Sequence, residues 1–389
     1  MARRSARVNS ASPSLRVGVL IGAEPYQAHH VADIAWQLAE RPGVVVDLVS
    51  SLPATFDELD RLARDDRDLG ISRRLLKTPA WVAALQRLSV LGTLKTHVMR
   101  DKRNVALLAG YDAIVTPTDH AGILRSALSP RTAMIYVNHG IGGRAASYSD
   151  KYLKFDFVVV ANRKDEQRLL DTGMIRPGHY VVAGYPKFEA AERLAQRRDP
   201  LFRNDRPVVL FNPHSKRALR SWERFARPLI DHAARTGEFN LIVAPHVKLF
   251  NRRPRFLWRR WERLAVPDRV IVDLGSSRSL DMSYTSAADI YVGDISSQLY
   301  EFLDRPKPCV FLNAHGLDWR SNPDFPNWDL GDVVEAPDQA IDAIRNARAR
   351  HSLYLAKQAS RIAETIDRAA GAAAQAADAI LAFLRQRTG

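Results

Sequence analysis

The sequence predicts an α/β protein of two Rossmann-like domains facing each other across a cleft, closed by a C-terminal helical region. Three observations predict it. From Leu15 onward, short apolar runs rich in Val and Ile alternate with longer stretches of helical period, the pattern of parallel strands joined by helices. The alternation occurs twice, and the charged stretch KFEAAERLAQRRDPLFRNDRP separates the two series. The length of 389 residues also exceeds what one hydrophobic core usually sustains.

Residues 1–14, MARRSARVNSASPS, are basic and rich in Ser and Ala; with almost nothing to bury, they are expected to be a disordered tail. LRVGVLIG is then the first strand. AHHVADIAWQLAER carries Val31, Ile34, Ala35 and Leu38 at helical spacing until Pro42-Gly43 stops it, and VVVDLVS is the second strand. Residues 53 to 110 read as mostly helical and rich in Arg. YDAIVTPTD, TAMIYVNHG and FDFVVVA follow as strands, and NRKDEQRLLDTG as a helix with Asn162 as N-cap and Gly173 as its stop. HYVVAGYP ends the first domain, 15–190. The second, 191–389, runs through the strands VVLFN, FNLIVAPH, RVIVD, DIYVGD and PCVFLN and closes with Ala-rich helix from about 337 to 386.

Composition narrows the chemistry. Lys and Arg outnumber Asp and Glu by 57 to 43, a net charge of +14, which favours anionic partners. Cys309 is the single cysteine, so neither an internal disulfide nor a multi-cysteine zinc site is possible. The first apolar run, Leu15 to Ile21, is too short for a signal-peptide core, and no segment supplies the about 18 apolar residues of a membrane span. A cytoplasmic protein is therefore expected. The absence of G-x-x-x-x-G-K-[ST], of G-x-G-x-x-G after the first strand and of G-x-S-x-G argues against a P-loop NTPase, a dinucleotide dehydrogenase and an α/β-hydrolase.

Ligands of doubly wound sheets bind beyond the C-terminal ends of the strands, and there the sequence is polar. After MIYVN comes HGIGGR, with His139, Gly140 and Arg144; after LIVA comes PHVK, with His246. After DIYVG comes DISSQLYE, where Gly293 allows a tight turn, Asp294 and Ser296 can cap the next helix, and Ser297 begins it. Such a helix start with two hydroxyls suits a phosphate or diphosphate; the plainer reading is a well-capped turn. His139, in a glycine-rich loop, can take a proton from an attacking hydroxyl, or simply hydrogen-bond within the loop. His246 can donate to a phosphate oxygen or cap a helix. His214 and Lys216 follow the first strand of the second domain and border the same region. NRRPRFLWRRWERL mixes six arginines with Phe256, Trp258 and Trp261. It suits an anionic membrane surface, or a helix that buries its aromatics and leaves its arginines in water.

The order HG, GYP, PH and D-x-S-S with an acidic residue shortly after resembles the CDP-glycerol glycerophosphotransferase family, which includes the teichoic acid polymerases. The resemblance spans Tyr136 to Asn313. It implies the GT-B fold, with an N-terminal acceptor domain and a C-terminal domain for the nucleotide donor. It further implies His139 as catalytic base, His246, Ser296, Ser297 and Asp294 around the donor diphosphate, and Glu301 on a ribose or glycerol hydroxyl, with Gly140 and Lys187 accessory. Where the family carries lysine, this chain has Arg144. Its Gly-x-Pro-Arg-Asn-Asp reads GYPKFE, and the proline after the second histidine is Val247. UDP-N-acetylglucosamine 2-epimerases share the general layout without a motif match.

The expected function is transfer of glycerol phosphate, or a related polyol phosphate, from a CDP-linked donor to a lipid-linked or glycan acceptor of the cell envelope, at the inner face of the membrane. Glycosyl transfer from a sugar nucleotide is the second reading. A non-catalytic anion- or nucleic-acid-binding protein is the third, disfavoured because no nucleic-acid module is recognisable. No cofactor is implied, and the lack of an Asp-x-Asp pair at a strand end favours metal independence.

Overall fold

The structure, a computed structural model, describes residues 14–22, 24–63, 69–82, 94–138, 150–250, 254–296, 298–320, 322, 325–366 and 371–388. The first domain holds β1 (Leu15–Ile21), α1 (Ala28–Ala39), β2 (Val44–Ser50), α2 (Pro53–Leu62), β3 (Ser72–Leu75), α3 (Leu94–Arg100), α4 (Lys102–Leu108), β4 (Ala113–Thr116), β5 (Ala133–Val137), β6 (Phe157–Val160), α5 (Arg163–Asp171) and β7 (Tyr180–Val182). Helix α6 (Lys187–Ala195) leads to the second, with β8 (Val208–Asn212), α7 (Trp222–Thr236), β9 (Asn240–Val243), α8 (Arg255–Glu262), β10 (Val270–Val272), α9 (Ser283–Ala287), β11 (Ile290–Gly293), α10 (Gln298–Phe302), β12 (Cys309–Leu312), β13 (Asp332–Val334) and α11 (Pro337–Arg350). Helices α12 (Leu355–Thr365) and α13 (Ala372–Thr388) end the described chain.

Both sheets are parallel, ordered β3-β2-β1-β4-β5-β6-β7 and β10-β9-β8-β11-β12-β13. Chain order reverses between β1 and β4 and again between β8 and β11, and each reversal opens a crevice at the strand C-termini. The central strands are buried on both faces, which is why they read as unbroken Val/Ile/Leu runs. Val31, Ile34, Ala35 and Leu38 of α1 are fully buried. Asn162 caps α5 by accepting the Asp165 N–H at 2.8 Å, and Gly173 ends it at φ 68°.

Two edge strands depart from the sequence reading. β3, SRRL, is exposed throughout and lies in the stretch read as helical, with Arg73 paired to Asp60 and Arg74 to Asp47. β13 is only half buried. Neither carries the apolar signal of a central strand.

The closing helices also divide differently. The sequence assigns them all to the second domain, but α13 packs on α1, with Ala373, Ala376, Ala377, Ile380 and Leu384 inside the first core. Its alanines present little bulk, so the two helices approach closely. Helix α6, in which the boundary near residue 190 falls, serves both cores: Ala190 and Leu194 join the first, Phe188 and Ala191 the second. Residues 1–13 lie outside the described residues. Among those described, no helix is long and apolar enough to cross a membrane.

Candidate functional site

At the second reversal, the ends of β9, β8 and β11 bring His246, His214 and Asp294 side by side. Asp294 is fully buried, and its carboxylate faces the loop after β8. One oxygen accepts from the His214 N–H at 2.8 Å and the Ile295 N–H at 2.7 Å; the other accepts from the Ser221 N–H at 2.7 Å and the Ser221 hydroxyl at 2.9 Å. Its carbonyl accepts from Trp328 Nε1 at 3.0 Å. Burial pushes this carboxyl up to about 6, against the hydrogen bonds from Ser221 and His214. Asp294, grouped above with the diphosphate residues, therefore commits its oxygens to shaping the turn. Gly293 does not adopt a left-handed conformation; instead a Cβ there would lie 2.9 Å from the Asn212 carbonyl, so glycine lets the β8 and β11 ends meet.

The histidines share one local device. His214 Nδ1 accepts from the Lys216 N–H and His246 Nδ1 from the Lys248 N–H, each at 3.2 Å. An Nδ1 acceptor leaves the ring proton on Nε2, so each histidine presents a donor there. The rings sit 5.6 Å apart, edge to face. Lys216 is exposed on the loop. Ser296 is buried and its hydroxyl accepts the Gln298 N–H at 3.2 Å, while the Gln298 side chain bridges Asn212 and the Ser279 carbonyl, both at 2.6 Å. Beside this row, at the end of β10, lies a cavity of about 450 Å³ lined by Arg255, Trp258, Glu262, Asp273, Ser276 and Tyr284.

Glu301, in α10, meets Lys187 at the start of α6, with Nζ and Oε1 2.5 Å apart and both side chains more than nine-tenths buried. The other oxygen, Oε2, is buried and accepts no hydrogen bond among the described residues. The structure thus pairs two sequence candidates across the domain interface and leaves one charged acceptor open. His139, Gly140, Arg144 and Ser297 lie outside the described residues.

One cluster escaped the sequence reading. His29, which the sequence reading did not single out, is buried at the start of α1 with Nε2 2.5 Å from Glu58. Arg61 binds Glu58 at 2.6 Å and reaches Asp281 of the second domain at 2.7 Å, and Arg198 joins Asp281 at 2.5 Å. Burial lowers the His29 pKa. Burial also opposes ionisation of Glu58, but hydrogen bonds from His29 and Arg61 hold it down at about 2. The strand-end rule, applied to β1, points at His29; nothing in the sequence points at its partners. Among the described residues, no three His, Cys, Asp or Glu side chains gather as a metal site.

Two facing Rossmann-like domains with this strand order define the GT-B class of fold, and solved structures agree. No family model matches the chain, and no curated protein matches it in sequence. A wall teichoic acid polymerase, TagF, in a structure soaked with CDPG, superposes with a TM-score of 0.64 at 10% identity, covering 97% of this chain and 90% of that one. The UDP-GlcNAc 2-epimerase of Neisseria meningitidis bound to UDP-GlcNAc gives 0.60 at 13% identity over 96% and 100%. A UDP-N-acetylglucosamine 2-epimerase of Listeria monocytogenes, described as a tentative assignment, gives 0.62 at 12% identity over 97% of each chain. At these identities the likeness establishes the fold.

Proposed function

We propose that this protein transfers glycerol phosphate, or a related polyol phosphate, from a CDP-linked donor to a hydroxyl of a cell-envelope acceptor. The acceptor oxygen bonds to the phosphorus that carries the polyol, the bond from that phosphorus to the bridging oxygen breaks, and CMP leaves. His139 takes the hydroxyl proton, while Ser296, Ser297 and the Nε2–H of His246 hold the diphosphate. Positioning and charge stabilisation do the work in such a transfer.

The observation that carries this reading is the buried Oε2 of Glu301, in the first turn of α10, which finds no donor among the described residues. A buried carboxylate oxygen without a donor is costly, and a ribose or polyol hydroxyl would complete it. The ordered motifs from His139 to Glu301 and the CDPG-soaked TagF neighbour support the choice of donor.

A sugar nucleotide is the second reading, favoured by epimerase neighbours of comparable TM-score. A thermal-shift panel of CDP-glycerol, CDP-ribitol, UDP-sugar and GDP-sugar separates them, since a bound donor stabilises the fold by mass action. The proposal expects CDP-polyols to raise the melting temperature most. Glu301→Gln should weaken that binding by about tenfold or more, the worth of a hydrogen bond to a charged group. His139→Ala should keep donor binding and abolish CMP release. Stabilisation by a UDP-sugar alone establishes the second reading; indifference to every nucleotide overturns both.

A further inference from the structure

Helix α8 is mounted on the second domain by its aromatic face. Trp258 Nε1 donates to the Phe250 carbonyl at 3.1 Å, and Trp261 stands edge-on to Trp222 with ring centroids 4.6 Å apart. The tryptophans are thus anchors in the domain, and the sequence reading that would lay them at a membrane interface does not hold.

The opposite face is different. At 3.6 residues per turn, Arg259, Arg263, Phe256 and Arg260 fall within one arc of about 100°, and Phe256 lies among the arginines. Phe256 is 68% exposed, the most exposed large apolar side chain among the described residues. Arg255, Arg259, Arg260 and Arg263 are all exposed, and among the described residues none has a carboxylate partner. Elsewhere Arg61, Arg198, Arg345 and Arg350 each reach a carboxylate. Arg255 and Arg259, and Arg259 and the C-cap Arg263, stand at i, i+4 spacing, which is repulsive. Their arrangement is explained by an external anion, and Phe256 by an apolar phase behind it.

We propose that the outer face of α8 docks on an anionic lipid bilayer, its guanidinium groups at the headgroup phosphates and the Phe256 ring at the acyl boundary. The occupant is a lipid surface because a polyanion in water would engage the arginines and give the phenyl ring nothing to enter. Helix α8 follows the end of β9, and Arg255 lines the same cavity as Asp273 and Ser276 at the end of β10. Its first turn therefore borders the cavity at the end of β10. Docking brings the cleft to the level of the headgroups. The inference is independent of which donor the cleft takes.

The test is co-sedimentation of the full chain with phosphatidylcholine vesicles, with and without phosphatidylglycerol. The protein should pellet only with the anionic vesicles and be released as salt screens the charges. Each arginine removed in Arg259→Gln and Arg260→Gln should lower the partition coefficient about fivefold. Phe256→Ser, with all charge retained, should lower it about tenfold. Melting temperatures of these surface variants are expected to match the wild type. The proposal is overturned if the protein stays in the supernatant with phosphatidylglycerol, or if neutral vesicles pellet it equally. It is also overturned if the arginine variants bind as the wild type does, or if duplex DNA displaces the protein and Phe256→Ser changes nothing, the result for a plain polyanion patch.

Discussion

His29 shows how one side chain ties chemistry to stability. Its ring is buried, so the folded protein holds it neutral and its pKa lies below the ordinary 6.5. As pH falls through 6.5 the unfolded chain takes up a proton that the folded chain refuses, so stability drops on the acid side and is fully present above it. Asp294 acts in the opposite sense, because its raised carboxyl binds a proton in the folded state first, near 6. The clean measurement is therefore a difference. Urea midpoints at pH 7.5 and 5.5 should fall further for wild type than for His29→Gln, and equal falls would refute the assignment. Of the site, the strand-end residues His246, His214, Ser296 and Glu301 were legible because each follows an apolar run. The pairings that tie the chain together were not. Lys187 lies 114 residues from Glu301 and Arg61 lies 220 from Asp281, and no local spacing encodes such a contact.

At the scale of elements, legibility followed burial. The buried strands announce themselves by Val and Ile on both faces, whereas SRRL of β3 is polar because an edge strand needs only one neighbour. Helix α13 was recognised as a helix but given to the wrong partner, since small residues reveal close packing without revealing against what. Ala377, fully buried at the α1 contact, tests that packing. Ala377→Leu forces extra volume between two backbones and should cost about 1–3 kcal/mol of stability, read by denaturant titration. An unchanged midpoint would mean that α13 does not press on α1.

At the scale of the molecule, the two domains are joined by buried charge. Lys187 and Glu301 lie on opposite sides of the interface, and removing one partner strands the other. Lys187→Met should cost about 3–5 kcal/mol, while Lys187→Met with Glu301→Leu should recover most of it, because a well-packed apolar pair can replace a buried ion pair. Calorimetry of the two variants decides; an equally damaged double variant would show that the pair matters for something other than its charge balance.

The return of α13 to the first domain has a mechanical consequence. The chain crosses between the domains twice, once through α6 and again on its way from α11, which packs in the second domain, to α13, which packs in the first. A single crossing would act as a ball joint, free to turn about any axis. Two crossings act as the paired pins of a door, so the cleft can swing open about the line that joins them and resists twisting or sliding sideways. For the transfer proposed above, such a constraint would present Ser296 and Glu301 to a donor in one fixed register.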